Sequence, residues 1–286
     1  MSTSRSATEY KALHYLGGKG GPSGKWVASL LPTDAETYVE PFAGMLGVLR
    51  MRPPAKAELA NDLDGLIVNW WRVVRDNPEE LSDLIERTSY ARAEFEYQLT
   101  QLDHPDPVRR ALATTVALAQ NFTHSLNTPS WGRGKQGSTL SDKFAVLPET
   151  VLHTANRIKK VQLECKPANE ILEWVAPEPG ALIYCDPPYN TPASVGYRKS
   201  NTDEIRELCT PHLVDAKARI AISGYADEWD YLGWYRQEFE TVSHALGNSQ
   251  TKRPPRTEVL WTNYEPPGLQ TARAPISEQL GLPVDE

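Results

Sequence analysis

The stretch Thr37-Tyr-Val-Glu-Pro-Phe-Ala-Gly-Met-Leu-Gly-Val-Leu-Arg50 reads as a short strand, a glycine turn and the start of a helix. It decides the fold class because the same grammar follows at once. Ala57-Glu-Leu-Ala-Asn-Asp62 is a second strand with a polar end, and residues 63–74 form an amphipathic helix that Asp76-Asn77-Pro78 closes. Far downstream, Gly180-Ala-Leu-Ile-Tyr-Cys-Asp-Pro-Pro-Tyr189 is an apolar strand stopped by two prolines, which cannot donate to a sheet ladder. Arg219-Ile-Ala-Ile-Ser-Gly-Tyr225 repeats the pattern of strand and glycine corner, and residues 239–246 and 257–264 predict a hairpin around a polar loop. Strands alternating with helices imply an α/β fold: a doubly wound, mainly parallel sheet with an antiparallel pair at one edge.

The residues between the second strand and the Pro-Pro strand far exceed what one crossover needs, and most read as helix and loop. The expected organisation is therefore a discontinuous domain of residues 1–83 and 169–265, an inserted helical domain over 84–168, and a loosely ordered, proline-rich tail over 266–286. The insertion holds a glycine-rich, aromatic loop, Asn127-Thr-Pro-Ser-Trp-Gly-Arg-Gly-Lys-Gln-Gly137.

Over 286 residues, 40% hydrophobic and 23% charged, the composition excludes a largely disordered chain. No apolar run approaches the roughly 20 residues of a membrane span, and the N-terminal residues have no signal-like apolar stretch, so a cytoplasmic protein is expected. Cys165, Cys185 and Cys209 form no CxxC, excluding a disulfide framework or a zinc site, and are expected to be buried thiols. The net charge of −7 argues by itself against a nucleic-acid partner. Residues 109–166, however, carry nine basic and three acidic side chains, a segment of +6 against −13 elsewhere. Such a segment suits a phosphate-binding surface, and equally a solvated helix face.

In an open α/β sheet a ligand lies beyond the carboxyl ends of the strands, so the loops there are where chemistry is sought. Phe42-Ala-Gly-Met-Leu-Gly47 lets backbone approach a ligand, and Asp62, 18 positions beyond Gly44, stands near the spacing at which an acid meets ribose hydroxyls. The full three-glycine fingerprint is missing, and a tight-packing turn explains the glycines nearly as well. Around Tyr15-Leu-Gly-Gly-Lys19-Gly-Gly-Pro-Ser-Gly-Lys25 a P-loop fails, because Lys19 and Trp26 stand where glycine and Ser or Thr are required. A flexible loop is the plain alternative.

Asp186-Pro187-Pro188-Tyr189 carries the most specific chemistry. A buried strand ending in a carboxylate, two rigid prolines and an aromatic ring presents acceptors and a stacking face in one fixed place. An exocyclic amine on a planar base needs that combination. Its lone pair is delocalised into the ring, and it attacks poorly unless its N–H groups are bonded to acceptors such as the Asp186 carboxylate and the Pro187 carbonyl. Tyr189 would stack on the base. A proline turn closing a strand explains the prolines but neither the acid nor the ring.

These motifs resemble the Dam-type DNA adenine-N6 methyltransferases. Tyr15-Leu-Gly-Gly-Lys19 is similar to their N-terminal aromatic-x-Gly-Gly-Lys motif, with Tyr15 where Trp is usual, and Glu40-Pro-Phe-Ala-Gly44 to their cofactor loop. Asn61-Asp62 resembles their ribose-binding acid, Asp186-Pro-Pro-Tyr189 their catalytic motif in full, and Ile222-Ser-Gly-Tyr225 and Glu258-Val-Leu-Trp-Thr-Asn-Tyr264 their later strands. The resemblance runs in order from Tyr15 to Tyr264. It implies a Rossmann-like class I methyltransferase that moves a methyl group from S-adenosylmethionine to N6 of an adenine flipped out of double-stranded DNA, without a metal, as in restriction-modification. It assigns catalysis to Asp186, Pro187 and Tyr189, and the cofactor to Tyr15, Lys19, Glu40, Phe42, Gly44 and Asp62 together with Asp186. Asn127, Arg133 and Lys135 are the expected DNA contacts, and a monomer is expected.

Asp rather than Ser before the prolines favours adenine over the N4 amine of cytosine. Methylation at cytosine C5 needs a cysteine after a proline, and none stands so. A non-catalytic DNA-binding protein on a methyltransferase scaffold is opposed by the intact catalytic motif. A protein or RNA amine methyltransferase is opposed by the basic insertion.

Overall fold

Tyr38 and Val39 are neighbours in the first strand and bury their side chains in different cores, one on each side of the sheet. The structure is a computed structural model that describes residues 13, 18–123, 125–132, 139–189, 202–241 and 256–267. Among these the strands are β1 (Thr37–Glu40), β2 (Ala57–Asn61), β3 (Gln162–Glu164), β4 (Ala181–Cys185), β5 (Arg219–Tyr225), β6 (Tyr235–Thr241) and β7 (Arg256–Thr262). They form one sheet in the order β3-β2-β1-β4-β5-β7-β6, parallel from β3 through β5, with β7 antiparallel to both of its neighbours. The mainly parallel α/β sheet with an antiparallel edge is thus as expected.

Period-two alternation continues across the sheet. Leu182, Tyr184, Ala221 and Leu260 join Tyr38 on one face, in one core with helices α2 (Gly65–Asp76), α3 (Pro78–Glu86), α4 (Arg92–Leu99), α5 (Pro107–Ala119), α6 (Thr139–Ala145) and α7 (Leu147–Ile158). Ile183, Cys185, Ile220, Ile222, Val259 and Trp261 join Val39 on the other, under α8 (Ala168–Val175) and α9 (Thr202–Val214). Fully burying one such aliphatic side chain contributes about 1.5–3 kcal/mol. From β1 the chain moves outward to β2 and β3, then returns to place β4 on the other side of β1. The crevice at the ends of β1 and β4 is therefore the switch point where a doubly wound sheet takes its ligand.

Helix α2 starts at Asp64, whose carboxylate accepts from the Leu66 amide at 3.0 Å, a cap contributing about 1 kcal/mol. Trp70 and Trp71 on α2 are buried, and their indole N–H groups donate to Thr115 Oγ1 on α5 and to the Gly44 carbonyl, both at 2.8 Å. The second bond fixes the loop after β1 to the helix packed beneath it.

The structure departs from the sequence expectation in four places. No helix starts after Gly47. Leu46 has φ of +51°, which breaks the helical path, and successive turns run on to the prolines at 53 and 54. Residues expected as a loop instead open helix α1 (Pro22–Leu30), with Pro22 at its first position, where a missing N–H costs nothing. The 84–168 stretch contains β3, which pairs with β2, and Lys166, whose carbonyl accepts from Asn61 Nδ2 at 2.9 Å. Its helices share one core with α2 and the sheet, and Arg157 of α7 grips Glu58 of β2 with two bonds, 2.6 and 2.8 Å. The continuous core exists because α2 alone cannot cover the apolar face above β1 and β2. Finally, Cys165 is exposed, whereas Cys185 and Cys209 are buried. The tail from residue 268 lies outside the described residues. Among those described, no helix is long and apolar enough to cross a membrane.

Candidate active site

Strand β4 is buried along its whole length and delivers Asp186 to the switch-point crevice, where Pro187 and Pro188 end the ladder. Tyr189 follows, its ring edge-on to Tyr225 of β5 with centroids 4.5 Å apart. Lys19 reaches the same point from the segment before α1. It is 5% exposed, and its Nζ lies 2.8 Å from Asp186 Oδ1 and 2.9 Å from Glu258 Oε1 on β7. The Lys19 ammonium also donates to the Tyr189 hydroxyl and sits 4.8 Å from the ring centroid. That hydroxyl lies 2.7 Å from Asp186 Oδ1 and 2.6 Å from Glu258 Oε1. Asp186 Oδ1 is thus engaged twice, while Oδ2 takes no hydrogen bond from the described residues.

The electrostatics at Lys19 follow from its place between the buried carboxyls of Asp186 and Glu258. Burial opposes the charge on Lys19, but Asp186 and Glu258 outweigh it and raise its pKa. Burial raises Asp186 above the ordinary carboxylate range, helped by Glu258 and opposed by Lys19. Burial, with Asp186 and Glu258 beside it, holds Tyr189 well above its usual value and therefore protonated. Glu40, at the end of β1, is pushed up to about 8 by burial, against the Tyr38 hydroxyl that donates to it at 2.7 Å.

The loop after β1 is fastened to the end of β2 through Asp62. Its Oδ2 accepts from the Gly44 amide at 2.9 Å and its Oδ1 from the Asp64 amide at 2.8 Å. Gly44 has φ of +46°, a conformation that favours glycine. Gly47 serves a different end from the close ligand approach expected of this loop. A Cβ there would stand 2.6 Å from the Lys19 carbonyl carbon, so the glycine admits the Lys19 backbone. Phe42 is partly buried against the α8 and α9 side of the sheet. Burial raises Asp62 to about 6, against the amide bonds that lower it.

Of the residues expected to hold the cofactor and perform catalysis, Lys19, Asp186 and Tyr189 meet in one cluster, and Gly44 and Asp62 bond to each other across the loops after β1 and β2. Glu40 is 2% exposed, with its carboxyl turned toward Tyr38. Tyr15 lies outside the described residues. Glu258 was not among the expected site residues; its only signal is a carboxylate opening the otherwise apolar run Val259-Leu-Trp261, opposite Tyr225 in the register of β5 and β7. A carboxyl in such a run is expensive to bury unless it has partners, and here they are Lys19 and Tyr189.

For the expected DNA contacts, Arg133 and Lys135 lie outside the described residues. Asn127 is exposed, on a loop that Asn121 ties together by accepting from the amides of Thr123 and Ser130 and donating to the Ser125 carbonyl. Several basic residues of the +6 segment are spent internally. Arg157 pairs with Glu58, Arg110 donates to Asn69 and the His104 carbonyl, and Lys166 pairs with Glu170. Arg109, Lys143, Lys159 and Lys160 remain exposed.

Residues 15–226 match the family model of the D12 class N6 adenine-specific DNA methyltransferases. The Type II methyltransferase M1.LlaDCHI of Lactococcus lactis subsp. cremoris is 25% identical over 264 residues, covering 82% of this chain and 89% of that protein. Among solved structures, an rRNA methylase from Streptococcus thermophilus aligns at 10% identity and a TM-score of 0.33, over 85% of this chain and 95% of its own. SMU.1697c from Streptococcus mutans, in complex with SAH, aligns at 12% identity and 0.34, over 84% and 95%. Likeness at that level says nothing about substrate.

Proposed function

We propose, from the premise that the chain belongs to the D12 class N6 adenine-specific DNA methyltransferase family, that its methyl transfer runs at the Lys19, Asp186 and Tyr189 cluster. The protein is a DNA adenine methyltransferase, and S-adenosylmethionine supplies its methyl group, carried on a sulfonium sulfur. The observation that supports this placement is the asymmetry of Asp186. Lys19 and Tyr189 hold Oδ1, which leaves Oδ2 to accept from the amine of the target base.

The residues fit a cationic donor. Asp186 and Glu258 flank one buried lysine, two carboxyls against one cation, so a sulfonium is favoured there over an uncharged thioether. Phe42, Gly44 and Asp62 would hold it across the loops after β1 and β2, with Glu40 beneath and Tyr15 and Lys19 over it. On the other side of the crevice Asp186 and the Pro187 carbonyl would accept the two amine protons. Both bonds favour a pyramidal nitrogen whose lone pair points at the methyl carbon, in line with its bond to sulfur. The Tyr189 ring, held beside Asp186 through its hydroxyl, would stack on the base, for about 1–3 kcal/mol.

An adenine in duplex DNA reaches so recessed a carboxylate only by leaving the stack, at a cost of a few kcal/mol. Phosphate contacts from the exposed basic residues and from the loop holding Asn127, Arg133 and Lys135 would offset that cost. The protein would act in the cytoplasm as a monomer, and the Type II methyltransferase among its relatives supports a role in restriction-modification.

The test is methylation of duplex DNA by purified wild-type and Asp186→Ala protein, read by sequencing that detects N6-methyladenine. Turnover should fall about 100-fold or more in the variant, because the lost interaction acts in the transition state. Wild-type turnover in folded Asp186→Ala would overturn the placement.

A further inference from the structure

We propose that Glu258 is a positioning residue of the methyl transfer, holding Lys19 and the Tyr189 hydroxyl so that both stay on Asp186 Oδ1 and Oδ2 faces the target amine. This inference rests on the placement of catalysis at Asp186 and adds a residue from a different part of the chain.

The geometry is that of a closed figure. Glu258 Oε1 is 2.9 Å from Lys19 Nζ and 2.6 Å from the Tyr189 hydroxyl, and both of those groups also reach Asp186 Oδ1, at 2.8 and 2.7 Å. Lys19 and Tyr189 are thereby pinned from two sides. Without Glu258 the Tyr189 hydroxyl, whose single proton the two carboxylates share, is left to Asp186 alone, and Lys19 loses one of three acceptors, keeping Asp186 Oδ1 and the Tyr189 hydroxyl. Glu258 itself is set rigidly, because β7 is an interior strand paired with β5 and β6, and the carboxylate is buried at 5% exposure. Among the described residues the side-chain partners of this buried carboxylate are Lys19 and Tyr189, while its apolar neighbours Val259, Leu260 and Trp261 hold the sheet together.

Glu258 also sets the charge count. The groups facing Asp186 are Lys19 from the segment before α1, Glu40 from β1, Tyr184 and Cys185 from β4, Tyr189 from the loop beyond it, and Glu258 from β7. Of these, Lys19 lowers the basicity of Asp186 and Glu258 raises it. Removing either charge must therefore move the titration of Asp186, in opposite directions.

The experiment compares Glu258→Gln, Lys19→Gln and Asp186→Asn with the wild type in steady-state methylation of duplex DNA across pH, with circular dichroism to check folding. In Glu258→Gln, kcat should fall on the order of 100-fold through misplacement of the amine acceptor, with KM for DNA little changed. The acid limb of its pH profile should move to lower pH, and that of Lys19→Gln to higher pH. A purely structural role would lower the amount of active enzyme and move neither limb. A folded Glu258→Gln enzyme with wild-type kcat and an unmoved limb overturns the inference. If Glu258→Gln does not fold, Lys19→Gln carries the test, and an unmoved limb there overturns it. Activity in Asp186→Asn would instead sink the placement of catalysis itself.

Discussion

A Cβ placed on Gly24 would stand 1.8 Å from the carbonyl oxygen of Lys19, so helix α1 and the Lys19 peptide are joined at a contact only glycine allows. Gly47 presses on the same peptide from the other side. Lys19 can therefore aim its long side chain into the crevice because its backbone is clamped between α1 and the loop after β1.

Two effects oppose each other in Gly24→Ala. Alanine in a helix interior favours the helix by about 1 kcal/mol, whereas overpacking against backbone typically costs 1–3 kcal/mol. The obstruction here is a carbonyl, which cannot swing aside as a side-chain tip can, so the cost should win. Gly24→Ala is expected to lower the melting temperature and to cut turnover on the order of 100-fold by shifting Lys19. A raised melting temperature with unchanged turnover would show that the Lys19 peptide moves aside freely.

The clamp also marks where sequence reading stops. Short apolar runs ended by proline or glycine predict β1, β4 and β5, because that signal is local. Asp186 and Tyr189 are legible for the same reason, being set by one strand end and two prolines. Glu258 and the purpose of Gly47 are not, since each is decided by Lys19, over two hundred positions away in the first case and reached only through tertiary packing in both. The inserted stretch misleads because hydrophobic helices read alike whether they build their own core or extend another, as α5 and α7 do over α2.

Asp62 gives a prediction in pH. Ribose hydroxyls donate to an ionised carboxylate, and burial has raised Asp62 to about 6 in the unliganded protein. Affinity for S-adenosylmethionine should therefore be constant above that value and decline below it, approaching about tenfold per pH unit. Binding in the declining range should release a proton. Calorimetric titration of the wild type and Asp62→Asn in buffers of different ionisation enthalpy checks both points. An Asp62→Asn protein with the same affinity and the same pH dependence would leave Asp62 only its bonds to Gly44 and Asp64.

Glu40 gives the corresponding prediction for stability. Its pKa rises from 4.5 in the unfolded chain to about 8 in the fold, so the native state binds its proton more tightly. Stability from this group is present at low pH and is lost as pH climbs from 4.5 through 8, above which nothing further changes. Glu40→Gln keeps the shape and cannot ionise. Its melting temperature should exceed that of the wild type by a margin that widens over that interval and then levels. A margin that is flat or narrows with rising pH in differential scanning fluorimetry would contradict the buried, protonated carboxyl.

The last prediction separates the two basic residues of the glycine-rich loop, and starts from what the insertion has left to give. Arg110, Arg157 and Lys166 are engaged by Asn69, Glu58 and Glu170, so the positive field of the segment falls to exposed residues such as Arg109, Lys143, Lys159 and Lys160, together with Arg133 and Lys135. Arg133 stands between two glycines, where backbone can come close to a duplex, and a guanidinium there suits the two acceptors on the major-groove edge of guanine. Lys135 offers a point charge without such a fork. Arg133→Ala should then cost about 1–3 kcal/mol on cognate DNA and little on scrambled DNA. Lys135→Ala should weaken binding to both and reduce the salt slope by about one unit. Binding isotherms over a salt series decide between these outcomes. Equal losses on both duplexes for Arg133→Ala would make it a phosphate contact, and no loss for either variant would take the loop out of the DNA interface.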